Sequence, residues 1–310
     1  MAIKITKAQR LKSFLRLAFT GPTNSGKTYS SLRVAFGVVK ASYPEATDEE
    51  IWDKICLIDT ERGRAKFYAD RSDLPLKTGS FNYIEIEAPY SPDKFKEAVI
   101  AAQKVVGPNG CIVIDSLSHA WAYEGGILDA HQQMVSRGKN SFTSWNEAGS
   151  LQNKLIDTIL TVKSHLIVTM RSKMEYVLET NTEGKIQPTK KGLKPIQRDD
   201  TEYEFDITLM LDEFNIPTII KDTTFLKSYN LDEPVTEELG TNLIKWLNEG
   251  ADPTVFIENK RQDLINIILE YCKSPAIKSL VKNAYPNVQP QNLTIEQANR
   301  VIDLIQEATK

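Results

Sequence analysis

Short unbroken apolar runs alternate with segments of helical periodicity along much of the chain. Apolar runs of this length are typical of strands that are buried on both faces of a parallel sheet. Strands are predicted at 14–20, 55–59, 83–87, 111–115 and 165–170. Helices are predicted between them at 27–40, 92–105 and 145–162. This alternation predicts an α/β fold in which helices cover a mostly parallel central sheet.

The pattern changes after residue 170. Residues 174–179 and 185–188 predict a β-hairpin with a polar turn at 181–184. Two further strands are expected at 203–211 and 216–221, joined by a short polar connection. The chain is therefore predicted to add a hairpin and two more strands to the parallel core.

A polar stretch at 248–253, in which glycine and then proline follow a helical run, is typical of a linker between domains. We therefore predict a core domain at 1–248 and a small C-terminal helical domain at 253–310. The second domain has amphipathic stretches at 254–272 and 294–307, and the later one begins with a capping-box pattern. Such stretches are the ordinary signal of a helical bundle that packs its own core.

The composition is that of an ordinary soluble globular protein, with 41% hydrophobic and 25% charged residues among 310. No apolar run is long enough to span a bilayer, and the N-terminus lacks the apolar stretch of a secretory signal. The cysteines Cys56, Cys111 and Cys272 lack metal-binding spacing and predict free thiols in a reducing compartment, and the three histidines predict no metal cluster. A net charge of −3 disfavours a constitutively basic nucleic-acid coat protein. We expect a cytoplasmic protein without a membrane partner.

Residues 21–28 match the phosphate-binding pattern G-x-x-x-x-G-K-[ST] between a predicted strand and a predicted helix. The backbone amides of such a loop wrap phosphate oxygens, and the positive end of the following helix points at them. Lys27 is expected to reach the β- and γ-phosphates, and the Thr28 hydroxyl is expected to ligate Mg²⁺. ATP and Mg²⁺ are therefore the predicted cofactors. The predicted nucleotide-binding residues are Gly21, Pro22, Thr23, Asn24, Ser25, Gly26, Lys27, Thr28 and Tyr29.

A phosphate-binding loop also needs an acid at the end of a neighbouring strand to hold Mg²⁺. Asp115 follows four apolar residues, so Thr28 and Asp115 are the predicted metal ligands. Many ATPases carry a glutamate directly after this acid, but here that position holds Ser116, so the group that activates water must lie elsewhere. Glu61 is the candidate, because it follows a buried strand and α/β sheets bind ligands at the carboxyl ends of their strands.

The segment 57–61, Leu-Ile-Asp-Thr-Glu, resembles the strand end of RecA/RadA-type recombinase ATPases, in which the glutamate is the catalytic base. Residues 190–198, followed by 202–206, are similar to a phage-encoded family of RecA-like nucleotide-binding proteins. Some members are described as Sak-type recombinases that act in single-strand annealing. The resemblance covers about 14–248 and implies a RecA-like P-loop core, a filament or ring of identical subunits, and a location in a bacterial host cell. RecA has a glutamine near the position of Arg171, so the sequence departs from RecA there.

Basic residues are concentrated between 171 and 198, where seven basic and three acidic side chains give a net charge of +4. The resemblance implies that this segment and an earlier loop face single-stranded DNA. The earlier loop interleaves basic residues with Phe142 and Trp145, a mixture that suits backbone contact and base stacking. The candidate DNA-binding residues are Arg137, Lys139, Lys173, Lys185, Lys190, Lys191 and Lys194.

A cation that reaches the γ-phosphate, from the same or a neighbouring subunit, would stabilise the transition state of hydrolysis. Arg171, Lys173 and Arg198 are the candidates for this role, and the predicted catalytic residues are Lys27, Glu61, Arg171 and Arg198.

The leading hypothesis is an ATP-dependent protein that binds single-stranded DNA and promotes annealing or strand exchange. One alternative is a helicase-like or loader ATPase of replication. Another is a nucleotide-dependent interaction module whose segment 253–310 recruits a partner such as a single-strand-binding protein. A small-molecule kinase, with the basic region as its lid, is the fourth.

Overall fold

The computed structural model describes residues 7–180 and 186–308 and has an α/β fold with a helical C-terminal region. The described chain divides into two compact units. The first unit is Phe14–Leu247. The second contains the segment 7–13 and the chain from Asn248 onward.

A mostly parallel sheet forms the centre of the first unit. Its strands are β1 (Arg16–Gly21), β2 (Ile55–Asp59), β3 (Asn82–Glu85), β4 (Cys111–Asp115), β5 (His165–Thr180), β6 (Ile186–Pro195), β7 (Ile207–Leu211) and β8 (Pro217–Asp222). The order across the sheet is β3-β2-β4-β5-β1-β7-β8. Neighbouring strands pair in parallel along the first part of this order, from β3 through β2, β4, β5 and β1 to β7. The strand β8 runs antiparallel to β7, and β6 runs antiparallel to β5. The strand β5 therefore lies between β1 and β4.

Helices cover both faces of this sheet. They are α1 (Lys27–Ser42), α2 (Asp48–Trp52), α3 (Pro92–Val106), α4 (Ser118–Ala122), α5 (Ile127–Ser136), α6 (Ser141–Thr161) and α7 (Glu237–Asn248). Successive strand residues point to opposite faces, so Leu17 and Phe19 belong to one apolar cluster while Ala18 belongs to the other. Because both faces are covered, the residues of β1, β2 and β4 are all buried, as their unbroken apolar runs predicted.

Two glycines allow α1 and α7 to cross at close range. A Cβ atom at Gly37 would lie 1.8 Å from the carbonyl oxygen of Glu237, and one at Gly240 would lie 2.2 Å from the carbonyl oxygen of Val34. The contact is also held by an ion pair between Arg33 and Glu237 at 2.9 Å.

Several predicted elements differ in extent from those observed. The strand expected at 203–211 begins only at Ile207, because Thr201–Glu204 forms a 3₁₀ turn. The loop expected to carry Phe142 and Trp145 ends at Asn140, directly before α6. The Asn140 side chain caps this helix by accepting a hydrogen bond from the Phe142 amide. Both aromatic residues therefore lie on a helix.

The predicted hairpin forms from β5 and β6, and β5 continues into it directly from the central sheet. The predicted turn at 181–184 and Lys185 lie outside the described residues. The short helices α2, α4 and α5 were not predicted from the sequence.

The second unit is helical, with α8 (Pro253–Tyr271), α9 (Pro275–Ala284) and α10 (Ile295–Ala308). Its apolar core includes Ile268, Val281 and Val301. The capping box predicted at the start of α10 forms, because Thr294 and Gln297 exchange hydrogen bonds between side chain and backbone.

The N-terminal segment differs from the prediction of a core domain at 1–248. The Lys12 amide donates to the carbonyl oxygen of Ala251 at 2.9 Å, and the Ala251 amide donates to that of Arg10 at 2.9 Å. This backbone pairing places the segment 7–13 in the second unit. Within the described residues, none of the helices combines the length and apolar character needed to cross a bilayer.

Candidate active site

The predicted phosphate-binding loop, 21–28, connects the end of β1 to the first turn of α1. Asn24 has φ 66° and Gly26 has φ 72°, so the loop turns through two left-handed positions. A Cβ atom at Gly26 would also lie 2.5 Å from Asn215 Oδ1. Glycine is therefore required at position 26 by both backbone conformation and space.

The Lys27 ammonium group lies across this loop. It donates to the carbonyl oxygens of Gly21 at 3.0 Å and Pro22 at 2.6 Å. Burial lowers the pKa of Lys27, although the carboxylates of Asp115 and Glu61 act in the opposite direction. The loop thus presents a positive charge and the N-terminus of a helix to one end of a cleft.

The two predicted metal ligands lie side by side. The Thr28 hydroxyl donates to Asp115 Oδ2 at 2.5 Å, and the Thr169 hydroxyl donates to Asp115 Oδ1. Burial raises the pKa of Asp115, and these two hydrogen bonds partly offset the effect. A hydroxyl and a carboxylate beside a phosphate-binding loop fit Mg²⁺, which prefers oxygen ligands and is completed by phosphates and water.

A tight turn follows β2 and carries the candidate base. Asp59 is fully buried, and its carboxylate accepts from the backbone amides of Glu61 and Ala65 and from the Tyr83 hydroxyl. Asp59 therefore shapes the turn and does not face the cleft. The turn directs the neighbouring Glu61 side chain into the cleft instead.

Glu61 is engaged by Arg171 at the edge of this cleft. Arg171 Nε donates to Glu61 Oε1 at 2.6 Å, and Arg171 Nη2 lies 2.5 Å from Glu61 Oε2. Arg171 Nη1 also donates to the Tyr123 hydroxyl at 2.7 Å. Burial acts to raise the pKa of Glu61, but the hydrogen bonds and charge of Arg171 outweigh it, so the pKa is lowered.

A second polar network joins the ends of β2 and β4. Thr60 Oγ1 accepts from the Ser116 amide at 2.8 Å and lies 2.8 Å from His119 Nδ1. His119 is 4% exposed, and burial lowers its pKa to about 4, so the imidazole is neutral at physiological pH.

These groups line one cleft of about 720 Å³. Several lining residues were not identified as site residues from the sequence, namely Arg62, Arg64, Phe67, Tyr68, Arg71, Tyr90, His119 and Tyr123. Most of them follow Glu61 or Asp115 within a dozen residues. Their proximity to those two acids was the only signal that could have found them.

The cleft brings together seven predicted site residues other than glycine: Thr23, Asn24, Lys27, Thr28, Glu61, Asp115 and Arg171. Gly26 also lines it, whereas Gly21, Pro22 and Ser25 do not. Such an arrangement can hold a polyphosphate and a divalent cation with a carboxylate nearby.

Two predicted site residues lie elsewhere. The Tyr29 ring stacks on Tyr68, and its hydroxyl accepts from the Leu76 amide at 2.8 Å, so Tyr29 anchors the segment that follows Glu61. Arg198 Nη1 donates to Asn153 Oδ1 on α6 at 2.8 Å. Arg198 does not line the cleft of its own chain, because the hydrogen bond directs it to a helix surface.

The candidate DNA-binding residues are dispersed over several elements. Lys173 and Lys194 lie opposite each other in the hairpin, and Lys190 lies opposite Tyr176. Lys194 is partly neutralised by Glu175 at 3.2 Å and Asp199 at 2.9 Å.

Lys191 is the extra residue at the irregularity in the pairing of β5 with β6. The α5–α6 connection carries Arg137 and Lys139, and Lys139 is paired with Glu147 at 2.7 Å. The concentrated charge seen in the sequence is thus reduced by ion pairs with acidic neighbours.

A family profile described as an AAA domain matches residues 13–228. No curated protein gives a significant sequence match. Among solved structures, the chain is similar to the genome packaging NTPase of Sulfolobus turreted icosahedral virus 2, determined in complex with AMPPCP. The identity is 13%, the match covers 63% of this chain and 73% of the viral chain, and the TM-score is 0.28.

Proposed function

The chain belongs to the AAA domain family and is a P-loop NTPase, and from that premise we propose that it hydrolyses Mg²⁺–ATP in response to single-stranded DNA. The observation that carries this proposal is the ion pair between Glu61 and Arg171. It joins the candidate base to β5, the strand that continues from the central sheet into the basic hairpin. A change in the hairpin on DNA binding can therefore be transmitted to the Glu61 carboxylate through the side chain of Arg171.

Nucleotide binding would use the loop and the groups around it. The loop amides and Lys27 would hold the phosphates, while Thr28 and Asp115 would hold Mg²⁺, which supplies charge neutralisation of the phosphate oxygens. Tyr68 and the exposed ring of Phe67 line the same cleft and offer flat faces on which a base could stack.

Hydrolysis requires a group that orients the attacking water, and a carboxylate can also accept the proton of that water. Glu61 would serve this role, but both of its oxygens are hydrogen-bonded or ion-paired to Arg171. Movement of Arg171 towards the γ-phosphate would free Glu61 for water and place a cation on the developing charge. One displacement of Arg171 would thus switch the site from a restrained to an active arrangement.

Single-stranded DNA is the proposed occupant of the hairpin. Lys173 and Lys190 are exposed there, and Tyr176, which is 62% exposed, offers a ring for stacking. The proposed biological role is phage-type annealing or strand exchange in an oligomer of identical subunits. In such an oligomer, Arg198 could act on the nucleotide of a neighbouring subunit.

The test is ATP hydrolysis measured at low salt with single-stranded DNA, with duplex DNA and without DNA. Lys27→Ala should remove nucleotide binding, whereas Glu61→Gln should retain binding and lower turnover at least about 100-fold. Stimulation by single strands alone would support the proposal. An ATP hydrolysis rate that is unchanged by any nucleic acid would refute the DNA part of the proposal and favour a nucleotide-dependent interaction module. Normal hydrolysis by Glu61→Gln would refute the assignment of Glu61 as the base.

A further inference from the structure

His119 is a buried histidine on α4 that lines the nucleotide cleft but has no part in the mechanism given above. A buried neutral imidazole can serve simply as an apolar core residue. The contacts of His119 indicate a further role, because they connect it to Glu61 and Arg171, the two residues of the proposed switch.

The first contact is with the residue before Glu61. His119 Nδ1 lies 2.8 Å from Thr60 Oγ1, and the same hydroxyl accepts from the Ser116 amide at 2.8 Å. The Thr60 amide donates to the carbonyl oxygen of Asp115 at 2.7 Å. His119 thus completes a hydrogen-bonded junction between the strand ends that carry Glu61 and Asp115.

The second contact is with the partner of Arg171. The His119 ring lies 4.2 Å from the Tyr123 ring and 4.8 Å from the Tyr90 ring, measured between centroids. The Tyr123 hydroxyl accepts from Arg171 Nη1 at 2.7 Å. One imidazole is therefore fixed by Thr60 through its Nδ1 edge and packs through its face on the residue that holds Arg171.

We propose that His119 is a positioning residue that holds the Thr60–Glu61 turn, and through it the carboxylate of Glu61, in place for ATP hydrolysis. The proposal rests on the function proposed above. The positioning role predicts that hydrolysis depends on the Nδ1 edge of the His119 imidazole. An amide at the Nδ1 position should then replace the imidazole, whereas an amide at the Nε2 position should not.

The test compares His119→Asn, whose amide is placed near Nδ1, with His119→Gln, whose amide reaches towards Nε2. We expect His119→Gln to lower kcat about 100-fold, as for a catalytic group displaced by about 1 Å. The dissociation constant for ATP should stay within about threefold of wild type, because the phosphate loop is untouched. His119→Asn should recover at least about a tenth of the wild-type kcat.

Thr60→Val supplies the matched variant, since it removes the hydroxyl at nearly constant volume. If His119 acts through Thr60, the double variant with His119→Gln should be no slower than the slower single variant. Multiplied losses in the double variant would overturn the proposal. Circular dichroism and ATP affinity show whether each variant is folded.

The remaining outcomes separate this proposal from the proposed function. If wild-type protein hydrolyses ATP and His119→Gln matches it, the positioning role is wrong and the hydrolytic function stands. If His119→Gln is active and His119→Asn is not, the imidazole acts through Nε2 and the proposal is likewise overturned. If wild-type protein does not hydrolyse ATP, the proposed function fails and the positioning role fails with it.

Discussion

Arg171 and Glu61 form a two-point ion pair across an intervening strand of the sheet. Glu61 follows β2 and Arg171 lies on β5, and β4, which ends at Asp115, runs between them. The pair therefore spans the strand end that carries Asp115, one of the two predicted metal ligands. Through these two contacts, Arg171 orients the Glu61 carboxylate and lowers its pKa.

Replacing Arg171 should change the pH dependence of hydrolysis. Arg171 lowers the pKa of Glu61, whereas burial acts to raise it. In Arg171→Ala only burial and weaker charges remain, so the pKa of Glu61 should rise. Because a base must be deprotonated to accept a proton, the acid limb of the kcat profile should move to higher pH.

The measurement is kcat between about pH 3.5 and 8, a window that includes the ordinary glutamate pKa of about 4.3. Arg198→Ala is the control, because Arg198 donates a hydrogen bond to Asn153 and does not contact Glu61, so the acid limb should stay in place whatever the change in kcat itself. An unshifted limb in Arg171→Ala would show that Glu61 is not the titrating base.

Exposed lysines of the hairpin should determine the response to single-stranded DNA. In Lys173→Ala/Lys190→Ala, two cations are lost from the hairpin without touching the nucleotide cleft. DNA affinity should fall, and the slope of log K against log salt should become shallower by about 1.4 if both lysines contact phosphates. Turnover without DNA should not change.

The control for this variant is Lys104→Ala/Lys163→Ala, which removes two exposed lysines outside the hairpin. Lys104 lies on α3, and Lys163 precedes the first residue of β5. Fluorescence anisotropy of a labelled oligonucleotide at several salt concentrations measures the slope. Equal slopes in the two double variants would place the DNA site somewhere other than the hairpin.

His165 should contribute to acid destabilisation. Its Nδ1 accepts from the Leu15 amide at 3.1 Å, and burial, with the charge of Arg16, lowers its pKa to about 3. Below about pH 6.5 the unfolded chain therefore binds a proton that the native chain does not, so stability falls as pH decreases. This group contributes at most about 1.4 kcal/mol per pH unit in that window.

His165→Asn keeps an acceptor near the Leu15 amide but cannot titrate. The free energy of unfolding of this variant, measured by urea denaturation at several values between pH 7.5 and 4, should fall less steeply than that of wild type. Near pH 7.5 the two proteins should have similar stability. Identical slopes would mean that His165 is protonated equally in the native and unfolded chains.

The close approach of α1 and α7 predicts a large effect of one methyl group. In Gly240→Ala, the new Cβ atom would lie 2.2 Å from the carbonyl oxygen of Val34, so the helices must move apart. We expect a loss of about 1–3 kcal/mol in the free energy of unfolding. Gly149→Ala on α6 is the matched control, because no heavy atom lies within 4 Å of its Cβ position.

The Gly149 variant should be unchanged or more stable by about 0.5–1 kcal/mol, since alanine favours a helix interior. Thermal and urea denaturation of both variants measure the difference. Equal stability of the two variants would contradict the tight helix crossing.

The parts of the site that depend on contiguous residues could be predicted from the sequence. The phosphate loop at 21–28 is one local motif, and the apolar runs before Asp115 and Glu61 identified strands whose ends meet at one edge of a parallel sheet. Periodicity likewise identified the α/β fold, because burial on both faces leaves an unbroken apolar run.

Contacts between distant segments were decided only by the tertiary structure. The sequence ranked Arg171 and Arg198 alike, but strand order brings Arg171 to Glu61 while Arg198 turns to α6. No local pattern marked His119, since its contact with Thr60 depends on the adjacent placement of β2 and β4. Local motifs determine which groups a strand end carries, whereas the order of the strands determines which of those groups meet.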